Sequence, residues 1–317
     1  MKKFYPENTL IHTQENKNAL LSAASIKEAY YSGKTIECRA TVCDNEHNLY
    51  VDLGPMKGFI PRDEGAIGID DGTVRDIAII SRVNKPVLCK ITDFTVNEKG
   101  ETVAILSRKK VQQEYMREYI STLTPGCIID ATVTHMEPFG VFCDIGAGIS
   151  ALMPIDSISV SRIPHPSARF AAGDKIKAVV KAIDEKGRIT LSYKELLGTW
   201  EENAALFKAG ETVPGIVRSV ERYGIFVELK PNLAGLAEYV PGVTPGQHAS
   251  VYIKNLIPER MKIKLIIVDS FEAPYPNEPV TYYHKGDYMD RWVYSPSSSE
   301  KIIETVFSDY RLTEDAI

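Results

Sequence analysis

Phe139 and Phe142 stand three residues apart in Pro138-Phe139-Gly140-Val141-Phe142-Cys143-Asp144-Ile145-Gly146, and their type and spacing ask for a chemical use. Val141, Cys143 and Ile145 alternate with Phe142 and Asp144, the period of a half-buried strand. With the first set facing a core, Phe142 stands on the wet face, and Gly140 permits a bend that brings Phe139 round beside it. Two large rings on the wet side of a strand want a flat partner to stack on, such as a nucleobase.

Other chemistries find no comparable pattern. The chain lacks a GxxxxGK phosphate loop, a GxSxG elbow and an HExxH helix. Its six histidines are scattered, with no nucleophile or carboxylate in sequence context. Cys38, Cys43, Cys89, Cys127 and Cys143 form no CxxC pair and sit in apolar, strand-like settings, so reduced core thiols are expected. Asp144 and Asp184 fall at strand ends and turns, which collect aspartate for structural reasons. The sequence therefore predicts no enzyme, no metal and no cofactor.

The segment that must position the two rings runs from Pro125 to Lys194. Pro125-Gly126 opens it, and Ile128 to Thr134 is rich in β-branched residues. Gly146-Ala147-Gly148 turns the chain into Ile149 to Met153, and an irregular stretch from Pro154 to Phe170 follows. Gly173-Asp174 precedes Ile176 to Ile183, and Asp184-Glu185-Lys186-Gly187 makes a hairpin into Arg188 to Tyr193. Five short strands in so little chain suit a small closed Greek-key barrel of OB type.

The order Gly126…Phe139-Gly140-x-Phe142…Gly173-Asp174-x-Ile176…Ile183-Asp184…Arg188-Ile189-Thr190-Leu191-Ser192 closely resembles the S1 RNA-binding domain. That repeat builds the largest protein of the bacterial small ribosomal subunit and occurs in exoribonucleases and transcription factors. The resemblance implies an RNA face made of Phe139, Phe142, the loop position Pro154, Asp184 and Arg188. The family often has histidine in that loop, and Pro154 departs from it. Lys181 and Arg169 are added here as nearby contacts for phosphate or base edges.

Three segments open alike: Gly33-Lys34-Thr35-Ile36, Gly126-Cys127-Ile128-Ile129 and Gly210-Glu211-Thr212-Val213. In the third copy Tyr223 and Phe226 stand where Phe139 and Phe142 stood, Lys262 falls near the place of Arg188, and the loop position is the anionic Glu238. In the first copy only Tyr50 clearly survives, with His47-Asn48 in place of Phe-Gly, so protein docking is favoured there over RNA. The predicted fold is thus mainly β: three consecutive five-stranded OB-fold barrels of S1 type joined by short helices, with an irregular C-terminal tail. The segments are an N-terminal helical stretch (1–32), barrels at 33–109, 124–194 and 209–268, linker helices at 110–123 and 195–208, and the tail at 269–317. Within the tail, Ser297 and Glu300 have capping-box spacing ahead of Ile302, Ile303, Val306 and Phe307, which predicts a short helix. The tail is expected to rest on the third barrel; the sharper expectation is that its acidic face docks a ribosomal protein or competes with RNA.

The formal net charge of −5 runs against a nucleic-acid ligand until it is localised. After Val268 ten acids face four bases, a net of −6, which leaves the barrel-bearing body at +1. Affinity for RNA must then come from stacking and a few local cations rather than a strongly basic field. No run of 18 apolar residues occurs, and no apolar signal core follows Met1-Lys2-Lys3. The expectation is a cytoplasmic protein away from membranes, whose partners are single-stranded RNA or mRNA and, by the resemblance, proteins of the small ribosomal subunit. The alternatives are an RNA-binding regulator of transcription or RNA decay, and a protein-interaction scaffold.

Overall fold

The computed structural model describes residues 4–273 and 280–307. It is mainly β, with three closed five-stranded barrels in succession. The first contains β1 (Ile36–Cys43), β2 (Leu49–Asp52), β3 (Lys57–Ile60), β4 (Pro86–Val96) and β5 (Thr102–Ser107). The second contains β6 (Ile128–Glu137), β7 (Gly140–Asp144), β8 (Ser150–Pro154), β9 (Lys175–Ile183) and β10 (Ile189–Ser192). The third contains β11 (Thr212–Glu221), β12 (Gly224–Lys230), β13 (Leu233–Ala237), β14 (His248–Ile257) and β15 (Lys262–Phe271). Around each barrel the strands run first, second, third, fifth, fourth, and the third and fifth are parallel. That closure leaves no open edge and matches the OB-type architecture expected from the strand count.

Alternation within strands fills the interiors. Val141, Cys143, Met153, Val180 and Leu191 are buried in the second barrel, and Val217, Ile225, Val227, Val251 and Ile253 in the third. The chain divides into two compact units: one takes Met1–Leu123 with Asp130–Thr132 and Asp144–Ser150, the other takes Thr124–Ile129, Val133–Cys143 and Ala151–Ile317.

Helices fill the connections with adjustments. The N-terminal stretch folds as α1 (Gln14–Ala19) and α2 (Ala23–Tyr31), the second opened by a Ser22/Ser25 capping box. A four-residue turn, α3 (Ile77–Ile80), lies in the long loop of the first barrel, and α4 (Lys109–Glu118) follows that barrel. The connector after the second barrel is not one helix. A 3₁₀ turn at Lys194–Leu197 and α5 (Trp200–Ala204) are separated at Gly198, whose φ of +83° ends the helix and where a Cβ would lie 2.7 Å from the Tyr283 ring.

The tail departs from expectation twice. Where a helix was predicted, β16 (Arg291–Val293) pairs antiparallel with β17 (Glu304–Val306). The apolar residues obey a two-residue period: Ile303 and Thr305 turn inward, Phe307 is buried, and Glu304 and Val306 are exposed. Nor does the tail rest mainly on the third barrel. Ile128 donates to the Asp287 carbonyl at 2.8 Å and Met289 to the Gly126 carbonyl at 2.9 Å, so the tail adds a short bridge to the second barrel. The Tyr282 and Tyr193 hydroxyls meet at 3.2 Å, and the Tyr294 hydroxyl reaches the third barrel by donating to the Asn232 carbonyl at 2.5 Å. The segment 274–279, part of the proline-rich stretch, and the final residues 308–317 lie outside the described residues.

Candidate nucleic-acid interface

In the second barrel β7 carries Phe142 outward while Val141 and Cys143 fill the core. Phe139 is 56% exposed and Phe142 half-buried, with ring centroids 6.1 Å apart and planes at 90°. The edge-to-face arrangement leaves ring surface on both for a third planar group. Gly140 makes the approach possible, because a Cβ there would collide with the Met153 carbonyl oxygen and sit 3.0 Å from Pro154 Cα. The Ile155 N–H then donates to the Phe139 carbonyl at 2.9 Å and fixes the loop that contains Pro154 beside the rings. His135 enlarges the shelf: its ring lies 6.3 Å from Phe142, inclined by 22°.

Arg188 supplies an accessible cation. Its side chain is 77% exposed, and its Nε donates to Asp184 Oδ2 at 2.7 Å. Asp184 organises the hairpin by accepting from the Lys186 and Arg188 backbone N–H groups at 3.0 and 2.8 Å. The backbone and guanidinium of Arg188 hold the Asp184 carboxyl below the usual carboxylate range. Lys181 is half-buried and donates to Ser157 Oγ at 2.9 Å.

Arg169 does not join this group. Its side chain is 6% exposed, and it donates to Glu228 and to the Pro231 carbonyl. It is a structural cation between the second and third barrels, enclosed with a carboxylate 59 residues away in sequence.

The third barrel repeats the geometry. Tyr223 is 71% exposed and stands against Phe226 at 6.1 Å with planes at 84°. Register shows where two lysines stand relative to them. Phe226 is paired with Leu236, and Leu236 with Lys264, so Phe226, Leu236 and Lys264 form one row across the sheet. Lys262, two residues before Lys264, pairs with Ile257 at the mouth of the β14–β15 hairpin, as Arg188 stands two residues before Thr190, the partner of Leu152 in the second barrel. The exposed Leu236, which sequence spacing did not single out, joins this row only through the parallel pairing of β13 with β15.

In the first barrel Tyr50 pairs with Phe59 and Val42, and its ring lies 6.1 Å from that of Phe59. Burial and the adjacent Asp44 carboxylate push its phenol pKa up. An aromatic beside Asp44 and Glu46 presents anions to a phosphate backbone, whereas the second barrel presents the exposed Arg188. Residues 269–271 continue β15, and from residue 280 onward the tail's hydrogen bonds to the rest of the chain, among the described residues, reach Gly126, Ile128, Lys177, Tyr193, Glu195, Leu196, Trp200 and Asn232, and none reaches Phe139, Phe142 or Arg188.

The family profile described as S1 RNA binding domain matches residues 122–194, the segment that carries this shelf. A small ribosomal subunit protein bS1 homolog of Bacillus cereus is 30% identical over 295 residues, covering 87% of this chain and 74% of that protein. The chain belongs to the bS1 family. The bS1 protein of Staphylococcus aureus is 28% identical over 82% of this chain and 66% of its own length. That of Leuconostoc lactis is 32% identical over 59% of this chain, and the match spans 43% of that protein. The bS1 likeness thus runs far beyond the profile's span, while the chain covers less than half of one such relative. Among solved structures, a multidomain protein with nucleic acid binding domains from Streptococcus pneumoniae aligns over 76% of this chain and 75% of that chain, at 17% identity and a TM-score of 0.25.

Proposed function

We propose that this protein binds single-stranded RNA on its second barrel, with unpaired bases stacked on Phe139 and Phe142 and a phosphate or base edge held by Arg188 beside Asp184. The observation that carries the reading is the pair of water-facing rings at the start of β7, on a barrel whose β9–β10 hairpin presents an exposed guanidinium. Stacking tolerates any base because every base has a π-face, and each stacked base contributes about 1–3 kcal/mol. Lys181 is close enough to the Ser157 turn to add positive charge at the shelf's margin. Tyr223 and Phe226, with Lys264 in the same row, form a second and weaker shelf, because Glu238 stands exposed nearby. Lys262, at the hairpin position that Arg188 has in the second barrel, adds a second cation to that shelf. Tyr50 in the first barrel serves a protein contact.

Membership of the bS1 family supports a role in translation, with mRNA and proteins of the small ribosomal subunit as cytoplasmic partners and no catalytic step. Two experiments test this. Fluorescence titration with unstructured RNA at two salt concentrations should give saturable binding with a shallow salt dependence. Co-sedimentation should place the protein with small ribosomal subunits; RNA binding without co-sedimentation would favour a regulator of transcription or decay.

A further inference from the structure

Beside the shelf lies a cleft of about 550 Å³ lined by Ile155, Val160, Ile163, Pro164, Arg162 and Lys194, with Ile303 of the tail on one side. Its volume is that of a small-ligand site, and its walls are built rather than accidental. Ile155 is fixed by its N–H bond to the Phe139 carbonyl at 2.9 Å. Val160 donates to Asn232 Oδ1 at 3.0 Å, and the Asn232 amide donates back to the Lys194 carbonyl at 2.8 Å. Asn232, fully buried at the β12–β13 turn, thus holds two walls at once. Ile303 is fixed between Ser295 Oγ, from which its N–H is 2.8 Å, and the Tyr294 N–H at 2.9 Å.

Charge and continuity identify what such a cleft would hold. Arg162 stands exposed at the rim and, among the described residues, makes no hydrogen bond or ion pair. The turn that leads from Phe139 to the cleft carries two ammonium groups: Lys181 on Ser157 Oγ at 2.9 Å and Lys194 on the Asp156 carbonyl at 3.3 Å. An apolar slot with cations along its approach matches a planar base attached to a phosphate. Asp156, the acid among the lining residues, offers an acceptor for an exocyclic amino group.

We infer that this cleft is a nucleotide subsite for the RNA strand leaving the shelf, taking one base against Ile155, Val160 and Ile303 and the adjoining phosphate on Arg162. The inference rests on the RNA-binding reading above and extends it beyond the barrel face to a site completed by the tail.

The test uses the full chain and a fluorescently labelled, unstructured RNA of about 12 nucleotides. Arg162→Ala should weaken binding about threefold to tenfold and lower the slope of log K against log salt by about 0.7, the share of one single-strand phosphate. Arg162→Lys should restore the slope. Photo-crosslinking with 4-thiouridine RNA should give adducts between Ile155 and Pro164. If Phe142→Ala weakens binding while Arg162→Ala changes neither affinity nor slope and no such adduct forms, the subsite is refuted and the shelf stands. Should both variants bind like the parent, the shelf fails and the subsite falls with it.

Discussion

Glu228 is the residue whose loss should most clearly reveal how the second and third barrels are held. Its Oε2 accepts from Arg218 Nε at 2.9 Å and from Arg169, and its Oε1 accepts from Arg218 Nη2 at 3.0 Å. The three side chains are only 5–10% exposed, so solvent does little to screen them. Glu228→Gln removes the anion at constant shape, leaving two enclosed guanidinium groups uncompensated and turning an amide donor towards one of them. Breaking a buried pair in this way costs about 3–5 kcal/mol. The readout is built in, because the chain's two tryptophans, Trp200 and Trp292, are both buried in the second compact unit. At a slope of about 2 kcal/mol per molar urea, the tryptophan fluorescence midpoint should fall by about 2 M. Replacing all three residues with apolar side chains of similar volume should recover much of the loss. A Glu228→Gln midpoint within about 0.3 M of the parent would refute the reasoning, since the triad would then contribute no more than an exposed pair.

Three further outcomes follow from individual contacts. Gly140→Ala should lower the thermal midpoint of the second unit by several degrees, because its Cβ meets the Met153 carbonyl; an unchanged scanning-calorimetry trace would contradict this. Burial and the Glu7 charge push the Asp144 carboxyl up to about 7, despite N–H donors from Glu7, Gly146 and Gly148 at 2.7, 2.8 and 2.9 Å. The folded first unit therefore binds this proton more tightly than the unfolded chain, so its stability should rise as pH falls from 8 through 7 towards 5. Protection of the Gly146 and Gly148 amides in hydrogen exchange, corrected for intrinsic rate, should rise with it, and a fall would oppose the assignment. Arg188→Ala should weaken RNA binding severalfold and reduce the salt slope by about 0.7, whereas unaltered salt dependence would remove Arg188 from the phosphate path.

The repeated Gly-led openings and the two-residue alternation around Phe142 made three barrels legible in the sequence, because closure of a small barrel demands that periodicity at every strand. The outward placement of Phe139 and Phe142 was legible for the same reason, whereas Asp184 and Arg188 were singled out only through the resemblance to the S1 domain. Arg169 was not, since its partner Glu228 lies in another barrel and only the packed structure joins them. The row that joins Lys264 and Leu236 to Phe226 depends on pairing between β13 and β15, a long-range register that spacing alone does not fix. The tail misled because Ser297 and Glu300 match a helix start, while burial of Phe307 and pairing with Arg291–Val293 impose an extended chain. Tertiary packing overrides a three-residue capping signal when the segment is too short to form a stable helix.

The most direct measurement is equilibrium binding of unstructured single-stranded RNA to the Phe139→Ala/Phe142→Ala double variant beside the parent, with circular dichroism to establish that both are folded. Two lost stacking surfaces at about 1–3 kcal/mol each predict affinity at least about 30-fold weaker, with the salt slope unchanged because no cation is removed. A folded double variant that binds as tightly as the parent would contradict the account.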